Sequence, residues 1–145
     1  DYKLEGIEVL HHSEYIDRLI SEKKLDISGT DLRYAYHDPC ELGRGCGIYE
    51  EPRNVVSAAG ELVEGVRSGK ESICCGGSLG SLTLSDDQRR RLAENALGDL
   101  TSASPDAVVT ACPLCKNTFN RYAAVPVLDI AEIVAQASGR NNTKQ

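Results

Sequence analysis

Six cysteines occur in this chain of 145 residues, and five of them fall into three clusters. Cys40 stands alone, Cys74 and Cys75 are adjacent, and Cys112 and Cys115 enclose Pro113-Leu114, giving C-x33-C-C-x36-C-x2-C with Cys46 left over. Two adjacent cysteines are poorly placed for a disulfide with each other, because closing so small a ring strains the peptide and the S–S torsion. As neighbouring thiolates they suit iron or another soft metal. Four thiolates can also close a tetrahedral zinc site, and a C-x2-C knuckle is a common half of one. An adjacent Cys-Cys is an awkward second half, however, and five thiols exceed what zinc needs. The balance falls to an iron–sulfur cluster, a larger body that reaches thiolates spread over several loops. Cys112-x-x-Cys115 also fits a thioredoxin-like redox pair, but that reading leaves Cys40, Cys74 and Cys75 without a role.

The elements that must position these thiols alternate in type. Gly6–Leu10 is a short apolar run read as a strand, and Ser13 is placed to cap a helix whose Tyr15, Ile16, Leu19 and Ile20 repeat at helical spacing. Leu32–Tyr36 alternates and is aromatic, a strand that Pro39 ends. Glu41–Gly47 is rich in glycine and reads as a loop. Pro52 opens a helix with Val55, Val56 and Ala59 on one face and Gly60 as its stop, and Leu62–Val66 is a weak strand. Ser85 and Gln88 form a capping box before the stripe Leu92, Ala93, Ala96, Leu97 and Leu100. Ala107–Thr110 is a strand, a short helix beyond Cys115 carries Phe119 and Tyr122, and Val125–Leu128 is a last strand. Asp129 and Glu132 cap a final helix that buries Ile130, Ile133, Val134 and Ala137 and stops at Gly139.

Strands alternating with helices in this way predict an α/β fold. We expect an open, mainly parallel sheet of about four to five strands with helices on both faces, a Rossmann-like three-layer arrangement. Each cysteine cluster follows a strand candidate at its carboxyl end, the edge at which open α/β sheets bind ligands. Three clusters distant in sequence are thus expected to meet at one rim.

Composition narrows the function classes. A net charge of −6 argues against nucleic acid, which asks for a basic stripe. No apolar run approaches the roughly 20 residues of a membrane span. The chain is long enough to bury a core without disulfide staples, so a reducing, cytoplasmic compartment is the better account of its cysteines than a secreted framework. That core must be aliphatic, since there is one Phe and no Trp. With no Met present, residues 1–145 read as a single domain excised from a longer protein, ending in a mobile polar tail over 140–145.

The words around the cysteines carry a family resemblance. His37-Asp38-Pro39-Cys40, Cys74-Cys75-Gly76-Gly77 and Thr110-Ala111-Cys112-Pro113-Leu114-Cys115, with Gly43-Arg44, Tyr49–Arg53 and Val127–Glu132 between and after them, resemble the cysteine-rich CCG domain. Such domains are found in heterodisulfide reductase subunits B and D and in glycolate oxidase iron–sulfur subunits. The resemblance implies a non-cubane [4Fe–4S] cluster with Cys40, Cys74, Cys75, Cys112 and Cys115 as its five ligands. It further implies electron transfer with other redox subunits or domains, ferredoxin-like or flavin-containing, in chemistry directed at thiol/disulfide or organic-acid oxidation. One such domain is a component of an oxidoreductase rather than a complete enzyme, and it would meet a membrane only at the periphery, through partners. A zinc-binding or metal-free interaction module using the same cysteines is the alternative.

Other residues carry plainer readings. Cys46 reads as an ordinary loop cysteine ahead of a spare ligand or a redox partner for Cys40. Gly76–Gly80 lacks the Gly-Lys-Ser/Thr ending of a phosphate loop, and its glycines are expected to bring backbone N–H groups to sulfur. His37 is equally a proton donor near a metal or a hydrogen-bonding brace of the Cys40 loop. Arg44 is expected to offset the charge of a thiolate-bound cluster. His11 and His12 are assigned no function.

Overall fold

The computed structural model describes residues 6–77 and 82–139. Four parallel strands form one sheet in the order β2-β1-β3-β4: β1 is Arg33–His37, β2 Glu61–Val63, β3 Ala107–Thr110 and β4 Val127–Asp129. Among the described residues five α-helices surround it: α1 His12–Ser21, α2 Glu50–Ala59, α3 Asp86–Leu100, α4 Pro113–Phe119 and α5 Ile130–Ser138. The expected open, parallel three-layer arrangement is what the chain adopts.

Burial on both faces explains the sheet. The side chains of β1 alternate, so Tyr34 and Tyr36 pack with Val55 and Val56 of α2 and Ile130 and Ile133 of α5, and Ile16 and Ile20 of α1 close that side. Ala35 faces the opposite way, joining Val108, Ala93, Ala96 and Leu97 of α3 and Phe119 of α4. Ala107–Thr110 is buried at every position, as a central parallel strand must be when helices cover both faces. Each fully buried aliphatic side chain such as Ile133 or Val109 contributes about 1.5–3 kcal/mol. Helix ends follow their local signals. Ser85 with Gln88 and Asp129 with Glu132 form the two expected capping boxes.

Several expectations are corrected. Residues 7–10 form no strand: the run pairs with no neighbour, and Ile7 and Val9 are 63% and 74% exposed. The cap of α1 is His11, whose ring accepts the Ser13 N–H at 3.3 Å while Glu14 accepts the His11 N–H at 2.8 Å; Ser13 is buried in the first turn. Glu41–Gly45 is a π-helical turn rather than a loop, the kind of local over-wide turn often found at functional sites. The helix around the last cysteine pair begins at Pro113, ahead of Cys115, and ends at Phe119, leaving Tyr122 beyond it. The tail at 140–145 lies outside the described residues, as do Ser78 to Gly80 of the glycine-rich run.

The strand order sets the site. From β1 the chain moves outward to β2, then returns across to β3 and continues to β4. The order therefore reverses between β1 and β3, whose last residues His37 and Thr110 lie side by side. Beyond their carboxyl ends lies the crevice where open α/β sheets bind ligands.

Candidate metal centre

Three segments bring sulfur to that crevice. Cys40 leaves β1 after Pro39 and starts the π-helical turn. Cys112 leaves β3, stands as the N-cap of α4 in extended conformation, and places Cys115 one turn into the helix. Cys74 and Cys75 arrive on the irregular segment after β2.

The last of these segments is held by charge and backbone. Asp38, 3% exposed at its side chain, takes both terminal nitrogens of Arg53, Nη1 at 2.7 Å and Nη2 at 2.9 Å, and accepts the Gly69 N–H at 2.8 Å. Arg53 also pairs with Glu64 and lies over the Tyr36 ring, 5.4 Å from its centroid. Arg44 donates to the carbonyls of Lys70 and Ser72 at 3.2 and 2.9 Å. Arg44 thus braces the approach to Cys74. Arg53 is a residue the sequence reading missed; its signal was the Asp38 carboxylate, but nothing in sequence joins positions 38 and 53.

Gly76 and Gly77 then pass between α3 and α4. Gly76 adopts φ +77°, and a Cβ there would sit 3.1 Å from the Arg89 carbonyl and 3.2 Å from Leu92 Cβ. A Cβ on Gly77 would meet Thr118 Oγ1 at 2.1 Å and the Leu114 carbonyl at 3.3 Å, so only glycine fits. Their N–H groups lie 3.4 Å from the sulfurs of Cys74 and Cys75 respectively, as expected of amides brought to sulfur.

The sulfurs converge. Cys75 Sγ lies 3.2 Å from Cys115 Sγ, far beyond the length of a disulfide, and both thiols are buried and free. The Cys75 thiol is held well below the ordinary range, first by its hydrogen bond with Cys115, then by that with Cys74, with the nearby His37 and the Gly77 N–H adding to it. Two thiols move the other way: Cys115 rises through its hydrogen bonds with Cys112 and Cys75 and through burial, and Cys74 through its hydrogen bond with Cys75 and through burial. Cys112 is pulled down to about 6 by the Cys115 thiol and by the N–H groups of Cys115 and Leu114 at the start of α4. Cys40 is close enough for its charge to raise Cys74. All five expected site cysteines thus act on one another, directly or through a neighbour. Cys46 does not enter this group; it is exposed, on a groove of about 370 Å³ that His11, Leu42 and Cys112 also line.

This donor set suits a positively charged soft centre. Two of the four crowded thiols, Cys75 and Cys112, are drawn toward the thiolate, and a soft cation binds thiolates by displacing thiol protons. His37 stands at the same place: one of its ring nitrogens and the sulfurs of Cys75 and Cys115 all lie within 4.8 Å of one another.

Comparison with known proteins decides the family. A model of the cysteine-rich domain, CCG, matches residues 34–120, a span that takes in all three clusters. The chain belongs to the CCG family. This CCG domain is 41% identical over 137 residues to a probable membrane-anchored ferredoxin of Chromohalobacter salexigens, covering 89% of the chain and 20% of that protein. It is 32% identical over 146 residues to an EtfAB:quinone oxidoreductase of Syntrophomonas wolfei, covering 90% of the chain and 20% of that protein. It is 34% identical over 140 residues to one of the subunits that make up the dihydromethanophenazine:CoB–CoM heterodisulfide reductase of Methanosarcina acetivorans, covering 91% of the chain and 34% of that protein. The CCG domain therefore spans a fifth to a third of the length of these relatives. No helix among its described residues is long and apolar enough to cross a membrane.

Proposed function

We propose that this CCG domain is the iron–sulfur electron-transfer domain of a heterodisulfide-reductase-like oxidoreductase, working in a reducing cytoplasmic compartment. Cys40, Cys74, Cys75, Cys112 and Cys115 would hold a non-cubane [4Fe–4S] cluster. The observation that carries this reading is the contact of Cys75 with Cys115 at the crevice between β1 and β3, with Cys74 and Cys112 near enough to shift acidity within the group. Relatives whose names describe a ferredoxin, a quinone oxidoreductase and a heterodisulfide reductase support it. A cluster bound there supplies one-electron exchange. The protein's own part is to fix the thiolates, to aim the Gly76 and Gly77 N–H groups at sulfur, and to bury Cys75 and Cys115 from water.

The parent molecule is larger on this reading, and the domain is one component of it. Its partners are other redox subunits or domains, ferredoxin-like or flavin-containing, and the chemistry served is thiol/disulfide or organic-acid oxidation. Anaerobic purification with iron, acid-labile sulfide and zinc analysis, followed by electron paramagnetic resonance, tests the reading. Iron and sulfide in equal amounts with a paramagnetic signal are expected. Stoichiometric zinc without iron under those conditions overturns it.

A further inference from the structure

His37 closes β1 with its side chain on the α3/α4 face of the sheet, and it is 1% exposed. Its Nε2 is buried and makes no hydrogen bond. Thr110, its register partner on β3, is fully buried, and its hydroxyl is likewise without a partner. The two polar groups stand side by side and do not satisfy each other. A buried polar atom left in this way costs about 1–3 kcal/mol, so its presence asks for a partner close to the ring.

The acceptor chemistry next to the ring is sulfur, since one ring nitrogen lies within 4.8 Å of the sulfurs of both Cys75 and Cys115. Nor is the ring free to turn elsewhere. Phe119, fully buried, meets it edge to face with centroids 4.7 Å apart and planes at 86°. The strand fixes its backbone and Phe119 fixes its plane.

We propose that His37 is a positioning residue of the metal centre, donating a ring N–H to the sulfur-borne negative charge at Cys75. This rests on the iron–sulfur reading above. Hydrogen bonds to the sulfurs of a cluster are a lever on its reduction potential, because they stabilise the more negative, reduced state. In this role His37 binds no iron, and the five cysteines remain the ligands.

The test compares the anaerobically purified domain with His37→Phe, which keeps the aromatic packing on Phe119 but lacks the donor, and with His37→Gln, which restores an N–H. Iron content, reduction potential and nitrogen hyperfine coupling are measured on each; His37→Met takes the place of His37→Phe should that variant not fold. Iron content is expected to be unchanged. The donor-free variant is expected to be about tenfold harder to reduce, a fall of about 59 mV for a one-electron step, and His37→Gln to recover at least half of it. A donor-free variant with wild-type potential overturns the proposal. So does loss of iron from both His37 variants, or the strong nitrogen coupling of a metal-bound imidazole in the wild-type protein. A wild-type domain that holds no iron overturns the underlying reading instead, and this proposal with it.

Discussion

Asp38 and Arg53 meet as a two-pronged ion pair, each carboxylate oxygen facing one terminal guanidinium nitrogen at 2.7 and 2.9 Å. The pair is almost wholly covered, and Asp38 also takes the Gly69 N–H, so a single carboxylate ties the end of β1 to the segment that delivers Cys74. Removing one partner of a buried pair leaves the other charge stranded, at about 3–5 kcal/mol. Asp38→Asn is therefore expected to lower unfolding free energy by about that amount in urea titrations, and to speed loss of iron on exposure to air. Arg53→Lys, which cannot bond both oxygens in parallel, should fall between the two.

Cys75 is the sulfur that the others surround. Cys75→Ser is expected to reduce bound iron to under about a tenth of wild type while far-ultraviolet circular dichroism stays unchanged, because serine removes the soft ligand yet fills nearly the same space in the cluster that holds Ala35, Val108 and Phe119. Retention of iron by this variant would count directly against the five-cysteine ligand set. Cys46→Ser, at an exposed position outside the group, should bind as much iron as wild type.

Gly77→Ala places a methyl group against Thr118, in a gap too narrow for it. Overpacking of this kind costs about 1–3 kcal/mol. Thr118→Ala removes the hydroxyl that a Cβ would meet first, so the double variant should be more stable than the sum of the single effects allows. Thermal unfolding of the four proteins closes that cycle. Strict additivity would show that the contact does not limit the site.

The metal-free domain should show a pH-dependent thiol of unusual acidity. Folding lowers Cys112 to about 6, so its thiolate stabilises the fold above the ordinary thiol range, and that contribution fades as pH falls through about 6. Iodoacetamide alkylation followed by mass spectrometry is expected to modify Cys112 with a midpoint near that pH, whereas Cys115, pushed upward and buried, should resist. Equal rates at the two positions would contradict the proton sharing described for Cys112 and Cys115.

What sequence could and could not convey divides along physical lines. Local signals were read correctly: the Ser85 and Asp129 caps, the stripes of α2, α3 and α5, and the buried run Ala107–Thr110 all follow from near neighbours in the chain. The meeting of Cys75 with Cys115 was also foreseeable, because parallel strands deliver their carboxyl ends to one edge. The bracing by Asp38, Arg53 and Arg44 was not, since each joins positions 15 or more residues apart through side-chain reach. Gly6–Leu10 misled because apolar composition stood in for pairing, and Ser13 misled because His11, two residues earlier, made the cap. His37 was noticed for its place beside Cys40, but its burial against Phe119 depends on how α4 folds back over the sheet.

The passage of Gly76 and Gly77 between two helices has a bearing on how fast charge can move. Glycines lodged this closely against α3 and α4 leave the Cys74–Cys75 segment little room to shift as its oxidation state changes. Little nuclear rearrangement then accompanies the gain or loss of an electron, which favours rapid exchange with a docked donor over slow, gated turnover.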